Sequence, residues 1–600
     1  MQQVDTHSIS SFDVSITRCA CALTLRGVDT RLRANSDGTL FQMGCKQAIV
    51  AFILLISLFH FASGYQLLFL PLSERTHMLV HLKLATVLAQ RGHSIHFVTA
   101  GCHHEFAEQT AAQMAPAASL QFVTHDFNCS YHEQEKAAAR LLSPLGEVRA
   151  IYRNVVGRAD DMLHDSALMQ QLEALAPQTD LLISDIFSFG MLLAAKLDIS
   201  HIDIDVGTAG SLWEPVLYGA EPAASYIPAV GSFLPTTGMT LWQRAGNLGM
   251  TVVIRTLIRA AFWHPSSSLQ LVVRKHRIPI QWPYTRALMV LVNSNFATEP
   301  PRAIPPNIQY VGPILPEPPQ PLPEDLEQFL AAAGPHGAVL VSFGGTLQAP
   351  LSASKALVKV MSALQPVRFV WKVSKDHQAA LAAATNVTQL ENVWMSDWVP
   401  QNDLLGHPSV RVFVTQGGYL SMGEAAYHGV PVLGLPFIPG QAELIRFAYD
   451  QGRALFVPTK ELEQGKVAHT VQALWRLLED SSFRAAAQVV SRRLEAVQRP
   501  YKELAADWVE YAAAVREDGA FLHPVKVTQQ WYQQAMLDVL LLFGTTAALA
   551  VLLGRMLLLR PSADETKRQR AMKHAEECLR PMLAYIEAAG SSSGCSDDDM

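Results

Sequence analysis

The sequence predicts an α/β protein built from two doubly wound, Rossmann-like domains facing a cleft, with one C-terminal transmembrane helix. Three observations predict it. A strand–helix–strand pattern opens at Tyr65, the same alternation restarts after a proline-rich stretch, and an apolar run from Leu537 to Leu559 lies near the end. Composition agrees with a folded chain: 600 residues, 49% hydrophobic and 17% charged, are well away from disorder. A net charge of -6 leaves no basic footprint, so no nucleic-acid partner is expected.

The elements follow in order. Gln66 to Leu72 reads as an apolar strand. From His77 to Gln90, Val80, Leu84, Val87 and Leu88 recur at helical spacing, and Arg91-Gly92-His93 stops the helix before a strand at Ser94 to Ala100. Such a βαβ opening implies a parallel sheet. Leu181 to Ser184 is another buried strand, ending at Asp185. Glu299 to Pro323 holds ten of the 34 prolines, which suits neither helix nor central strand, and reads as a linker. Gly337–Ser342, Val367–Val373, Val410–Thr415 and Val430–Leu435 then read as core strands of a second parallel sheet. Ligands of such sheets sit beyond the carboxyl ends of the strands. The expected organisation is 1–64 extension and signal peptide, 65–298 first Rossmann-like domain, 299–325 linker, 326–480 second Rossmann-like domain, 481–535 C-terminal helices, 536–560 membrane helix and 561–600 cytosolic tail.

Targeting signals frame these domains. Ala48 to Ala62 follows Lys46 and precedes Ser63-Gly64-Tyr65, the pattern of a signal h-region; a signal-anchor helix is the alternative. Met43, just upstream, is a second candidate start. The run Leu537–Leu559 is long enough to span a bilayer, with Asp538 and Arg555 near its ends, where they can reach water. Arg560, Lys567, Arg568, Arg570 and Lys573 follow it, so the positive-inside rule puts the tail in the cytosol and the domains in the lumen. A single-pass type I protein of the endoplasmic reticulum or another secretory-pathway membrane is expected. Sequons at Asn128 and Asn386 fit that placement. Cys102 and Cys129 allow one disulfide, and two free thiols are the alternative.

The chemistry concentrates between Trp398 and Gln441, WVPQNDLLGHPSVRVFVTQGGYLSMGEAAYHGVPVLGLPFIPGQ. Physically this is strand, Gly-Gly turn, helix, strand. Gly417 and Gly418 stand where a strand gives way to a helix, so the backbone can approach a phosphate and the helix N-terminus can stabilise its charge. Glu424 can accept hydrogen bonds from ribose hydroxyls, and Trp398 offers a flat face to a base.

The segment resembles the signature of the UDP-glycosyltransferases, closest to the UDP-glucuronosyltransferase-like branch. WxPQNDLLGHP, the GG turn, EAxYHGVP and the late Gln carry the resemblance. It extends from about Tyr65 to Arg560 through Ser225-Tyr226-Ile227-Pro228, Met239-Thr240, Gln243-Arg244, Asn293-Ser294, Pro305-Pro306-Asn307, Tyr310-Val311-Gly312 and Trp531-Tyr532.

The resemblance implies a GT-B fold, with 65–298 the acceptor-binding and 326–480 the UDP-sugar donor-binding domain, and an inverting, metal-independent transfer from a UDP-sugar co-substrate to a small lipophilic acceptor, with no cofactor and no metal site. It makes His77 the base that deprotonates the acceptor hydroxyl and Asp185 the carboxylate that orients it. A near-neutral imidazole suits that role, and a buried carboxylate fixes its tautomer. It places Trp398 and Gln401 at uracil, Glu424 at ribose, Gln416, Gly417, Gly418, Ser342 and Gly344 near the diphosphate, and Gln441 at the sugar. A homo-oligomer is compatible with it.

Several positions depart from the family pattern. Gln416 replaces a histidine, Leu420 an asparagine, Gly440 an acidic residue and Gly345 a serine. Each polar loss that leaves a ligand group unpaired would weaken donor binding by about 1–3 kcal/mol. A catalytically impaired relative that binds a hydrophobic ligand or regulates a partner is therefore the alternative. Asp203-Ile204-Asp205 resembles a metal-binding DxD only as a three-residue match, and Cys102-His103-His104 lacks metal-ligand spacing. The aromatic and aliphatic content of Tyr218 to Trp263 predicts an apolar acceptor.

Overall fold

The computed structural model describes residues 64–126, 144–207, 214–221, 223–229, 231–280, 287–344, 349–437, 439–525 and 529–559, with scattered positions between 566 and 580. Met43, the apolar run Ala48–Ala62, Asn128, Cys129 and Gly345 lie outside the described residues. Both sheets belong to the unit Tyr65–Met600.

The first sheet has seven strands: β1 (Gln66–Leu70), β2 (Ser94–Ala100), β3 (Leu120–His125), β4 (Leu181–Asp185), β5 (His201–Asp205), β6 (Val290–Val292) and β7 (Ile308–Tyr310). Their order is β3-β2-β1-β4-β5-β6-β7, and every pairing is parallel. The central strands are buried along nearly their whole length, as expected where helices cover both faces. Winding reverses between β1 and β4, which opens a crevice at their carboxyl ends. Helix α1 (Arg75–Gln90) leaves that end of β1.

The second sheet comprises β8 (Ala338–Ser342), β9 (Arg368–Lys372), β10 (Val393–Ser396), β11 (Val410–Thr415), β12 (Val432–Gly434) and β13 (Ala454–Phe456). Its order, β10-β9-β8-β11-β12-β13, repeats the same parallel winding, with the reversal between β8 and β11. Two open parallel sheets with covering helices are the GT-B arrangement predicted.

The proline-rich stretch is not all linker. Its residues Ile308–Tyr310 form β7, paired with β6 only. Proline is tolerated at an edge, and here Pro305, Pro306 and Pro313 flank the three paired residues without interrupting them.

Four further helices position the site or frame it. α2 (Leu241–Trp263) starts at a capping box, Thr240 with Gln243. α3 (Tyr419–Tyr427) follows β11, α4 (Pro439–Asp450) follows β12, and α5 (Tyr501–Ala514) returns to the first sheet. The apolar face of α5 (Ala505, Ala506, Val509, Ala512 and Ala513) joins the core formed by Leu67, Phe69, Leu82 and Phe97. Arg91, at the end of α1, pairs with Glu503, Asp507 and Glu510 on α5, and His93 also meets Glu510.

Helix α6 (Leu537–Leu559) stands apart, with Leu540, Leu541, Phe543, Leu549, Val551, Leu552 and Leu553 exposed. At about 1.5 Å per residue it is roughly 35 Å long. Residues Leu537–Arg555 are long and apolar enough to cross a membrane, with a mean hydropathy of 2.1.

Candidate active site

His77 lies in the first turn of α1, just past β1, and Asp185 ends β4, so the first reversal point brings them together. His77 Nδ1 lies 2.6 Å from Asp185 Oδ2. Asp185 is fully buried, and its other oxygen accepts the Phe187 backbone N–H at 2.9 Å. The carboxylate is thus fixed from both sides and faces the ring as an acceptor. Donation from Nδ1 to Asp185 leaves the lone pair on Nε2, the tautomer a general base needs.

Burial works against a charge on His77. The Asp185 carboxylate, by its charge and hydrogen bond, with smaller contributions from Glu74 and Asp205, outweighs it and holds the imidazole above its ordinary pKa. Three neighbours of His77 carried no signal in the sequence. Phe187 packs edge-on against the ring at 6.0 Å. Glu74 caps α1. Gly207 lies beside the Nε2 edge, where a Cβ would stand 3.7 Å from that nitrogen.

The DxD-like pair belongs to β5 and is buried. Asp203 accepts from Ser184 Oγ at 2.6 Å and from the Tyr218 hydroxyl at 2.5 Å, so its place in the fold is structural. Among the described residues one group, Asp160, His164 and His276, has ligand atoms close enough to share a metal. The Asp160 carboxylate is already engaged by the Lys275 ammonium at 2.9 Å and by His276 at 2.7 Å.

The second reversal point gathers several of the residues expected at the donor. Ser342 ends β8 and is fully buried, and its hydroxyl has no hydrogen-bond partner among the described residues. Gly344 follows at φ 72°, and Gly417, after β11, stands at φ 90°, conformations that favour glycine. Space forbids a side chain at Gly417 as well, since a Cβ would fall 2.8 Å from the Gln441 carbonyl and from Ile445. Gln416 bridges the two turns. Its Oε1 accepts from Thr415 Oγ1 at 3.0 Å, and its Nε2 lies about 3 Å from where a Cβ on Gly344 or Gly418 would be. An amide donor therefore stands between the two glycine turns. Gly418 caps α3, whose N-terminus faces the same space.

Trp398 is exposed, 66% of its surface open, so it is not a packed core aromatic. Gln401 Nε2 donates to Glu424 Oε2 and, at 3.0 Å, to Ser421 Oγ. Burial pushes the Glu424 carboxyl up to about 7, with Gln401 and Lys372 opposing the shift. Ser421 is thus turned toward Gln401, while Leu420 packs against the core of the first sheet. Gln441 is buried on α4 and accepts the Phe437 N–H at 3.0 Å. A Cβ on Gly440 would meet nothing within 4 Å.

Helix α2, in the stretch expected to enclose an apolar acceptor, buries Asn247, Ile254, Ile258 and Phe262 but exposes Trp242, Leu248, Val252, Val253 and Leu257. Much of that apolar content therefore faces outward. Asn386 is exposed at the start of a short helical turn, and Cys102 is disulfide-bonded.

A family model described as UDP-glucoronosyl and UDP-glucosyl transferase matches residues 66–562. The chain belongs to this family. Among curated relatives of this UDP-glycosyltransferase, mouse UDP-glucuronosyltransferase 3A2 is 32% identical over 327 residues, covering 53% of this chain and 59% of that protein. Human 2-hydroxyacylsphingosine 1-beta-galactosyltransferase is 28% identical over 512 residues, covering 83% of this chain and 89% of that protein. The matched stretch thus spans somewhat over half the length of the first relative and most of the second. Among solved structures, the glycosyltransferase VinC in complex with DTDP aligns at a TM-score of 0.51 and 17% identity, over 75% of this chain and all of that one, a likeness of fold.

Proposed function

We propose that this UDP-glycosyltransferase transfers a hexosyl or glucuronosyl group from a UDP-sugar to a hydroxyl of a small lipophilic acceptor, with inversion. The observation that carries the reading is the 2.6 Å contact between His77 and a fully buried Asp185 at the reversal point of the first sheet. His77 Nε2 removes the acceptor proton as the hydroxyl oxygen bonds to the anomeric carbon. The bond from that carbon to the diphosphate oxygen breaks, and UDP leaves with the electron pair. Asp185 stabilises the resulting imidazolium.

On the donor side, Trp398 stacks on uracil, Gln401 reads its edge, Glu424 holds the ribose and Gln441 the sugar. The diphosphate lies between the Ser342–Gly344 and Gln416–Gly418 turns. Charge developing on UDP meets the N-terminus of α3 and the Gln416 amide, a neutral donor where a cation would bind more strongly. The unpartnered Ser342 hydroxyl and the positive-φ glycines support this placement. UDP-sugar is the co-substrate, and no step calls for a metal.

Helix α6 anchors the domains to an endoplasmic reticulum or other secretory-pathway membrane, with the domains luminal and the basic tail cytosolic. Exposed Asn386 suits glycosylation in that compartment, and Asn128 is the second acceptor. Glycosidase treatment that shifts neither site would overturn the luminal orientation.

The test of the reaction is UDP release by membranes carrying the wild-type chain or His77→Ala, given a panel of UDP-sugars and a pool of apolar hydroxyl compounds. Release that needs both substrates and falls about 10²–10⁴-fold in the variant is expected. Absence of release from folded, UDP-binding protein across the panel would favour a catalytically impaired relative.

A further inference from the structure

A buried guanidinium without a counter-charge among the described residues lies at the junction of the linker, the first sheet and α3. Arg453 precedes β13 and is 2% exposed. Its Nε donates to Gln451 Oε1 at 2.8 Å, and its Nη1 has no partner among the described residues. Arg453 lines a pocket of about 30 Å³, walled by Leu315, Leu420 and Leu444 and by the polar Asn293, Ser294 and Tyr419. Glu299 also reaches that pocket, but its carboxylate is held by Arg302 at 3.2 Å and by the Tyr419 hydroxyl at 3.2 Å. Burial lowers the Arg453 pKa to about 10, so the group stays charged at neutral pH.

A charge this deeply buried is ordinarily paired, because desolvation costs more than isolated donors recover. The pocket holds one or two water-sized species, too little room for a phosphate ester. Its apolar walls favour a weakly hydrated ion. We propose that this pocket binds a single monovalent anion of the chloride or bromide class, held by the Arg453 guanidinium. Because its walls come from the linker (Leu315), the loop after β6 (Asn293, Ser294) and the donor-side helix α3 (Tyr419, Leu420), occupancy would brace the two halves against each other. The proposal does not depend on transfer activity.

The test uses the full chain in detergent, with potassium gluconate replaced stepwise by potassium chloride or bromide at constant ionic strength. The wild-type melting midpoint should rise saturably, by about 2–4 °C. Arg453→Met, which replaces the charge by an apolar chain of similar length, should lose the halide response, and Arg453→Lys should keep part of it. An equal response in Arg453→Met, or none in the wild type, would overturn the site. Should Arg453→Met fail to fold, chloride-35 line broadening by the wild-type protein decides. Broadening reversed by bromide but not by UDP is expected; absence of broadening, or reversal by UDP, would remove the anion from this pocket.

Discussion

In the proposed reaction a protonated His77 cannot take a proton from the acceptor, so the raised pKa of the ring should set the acid limb of the rate. The rate should fall as pH drops through a value above the ordinary histidine range. Asp185→Asn removes the charge that raises it, so the limb should move to lower pH while kcat drops by about 10²–10⁴-fold. A pH–rate profile of both proteins checks this, and an unmoved limb would assign it to another group. The donor side allows a gain as well as a loss. Gly440 opens onto free space and its φ is not positive, so Gly440→Asp should restore a carboxylate facing the sugar without strain. An unpaired sugar hydroxyl that gains this partner is worth about 1–3 kcal/mol, so the donor KM should fall roughly 5- to 150-fold, and sugar preference should shift. Trp398, Gly417 and Glu424 were legible because strand–GG–helix punctuation and the surrounding signature fix their places. The Gln401–Glu424 bond and the approach of Gly207 to His77 were not, since residues far apart in sequence make both contacts.

At the scale of elements, seven of the thirteen described strands (β1, β2, β4, β8, β9, β11 and β12) announced themselves as short apolar runs, because both faces of each sheet are covered. The short outer strands β3, β6, β10 and β13 and the Asp-containing β5 did not, nor did β7, which is three residues long and embedded among prolines that break any periodic pattern. What holds its segment is a buried ion cluster. Arg302 is 4% exposed and bonds Glu214 at 3.0 Å, Glu299 at 3.2 Å and the hydroxyl of Tyr310 on β7. Its neighbours raise its pKa further, against the cost of burial. Arg302→Met strands two buried carboxylates and should cost about 3–5 kcal/mol. Urea unfolding should show that loss, and Glu214→Gln in the same background should recover part of it. If the single variant unfolds like the wild type, the cluster does not carry the stability assigned to it.

For the molecule as a whole, helix α5 decides where the folded part ends. The sequence places it only among the C-terminal helices of 481–535, because its alanine-rich face gives a weak apolar stripe that does not say what it packs against. In the structure that face completes the core of the first sheet, and Glu503, Asp507 and Glu510 close on Arg91 and His93. Small side chains let α5 approach closely, so its loss would open the core along the whole helix rather than at one contact. A chain stopped after Gln530 lacks α6 but keeps α5, and should leave the membrane while retaining a cooperative thermal transition. A chain stopped after Pro500 keeps every strand of both sheets, yet should show no cooperative transition and should be degraded by limited proteolysis under conditions the longer chain survives. Equal melting of the two chains would reduce α5 to an appendage. Failure of the longer chain alone to leave the membrane would point to a second membrane contact besides α6, with the outward apolar face of α2 the first place to test.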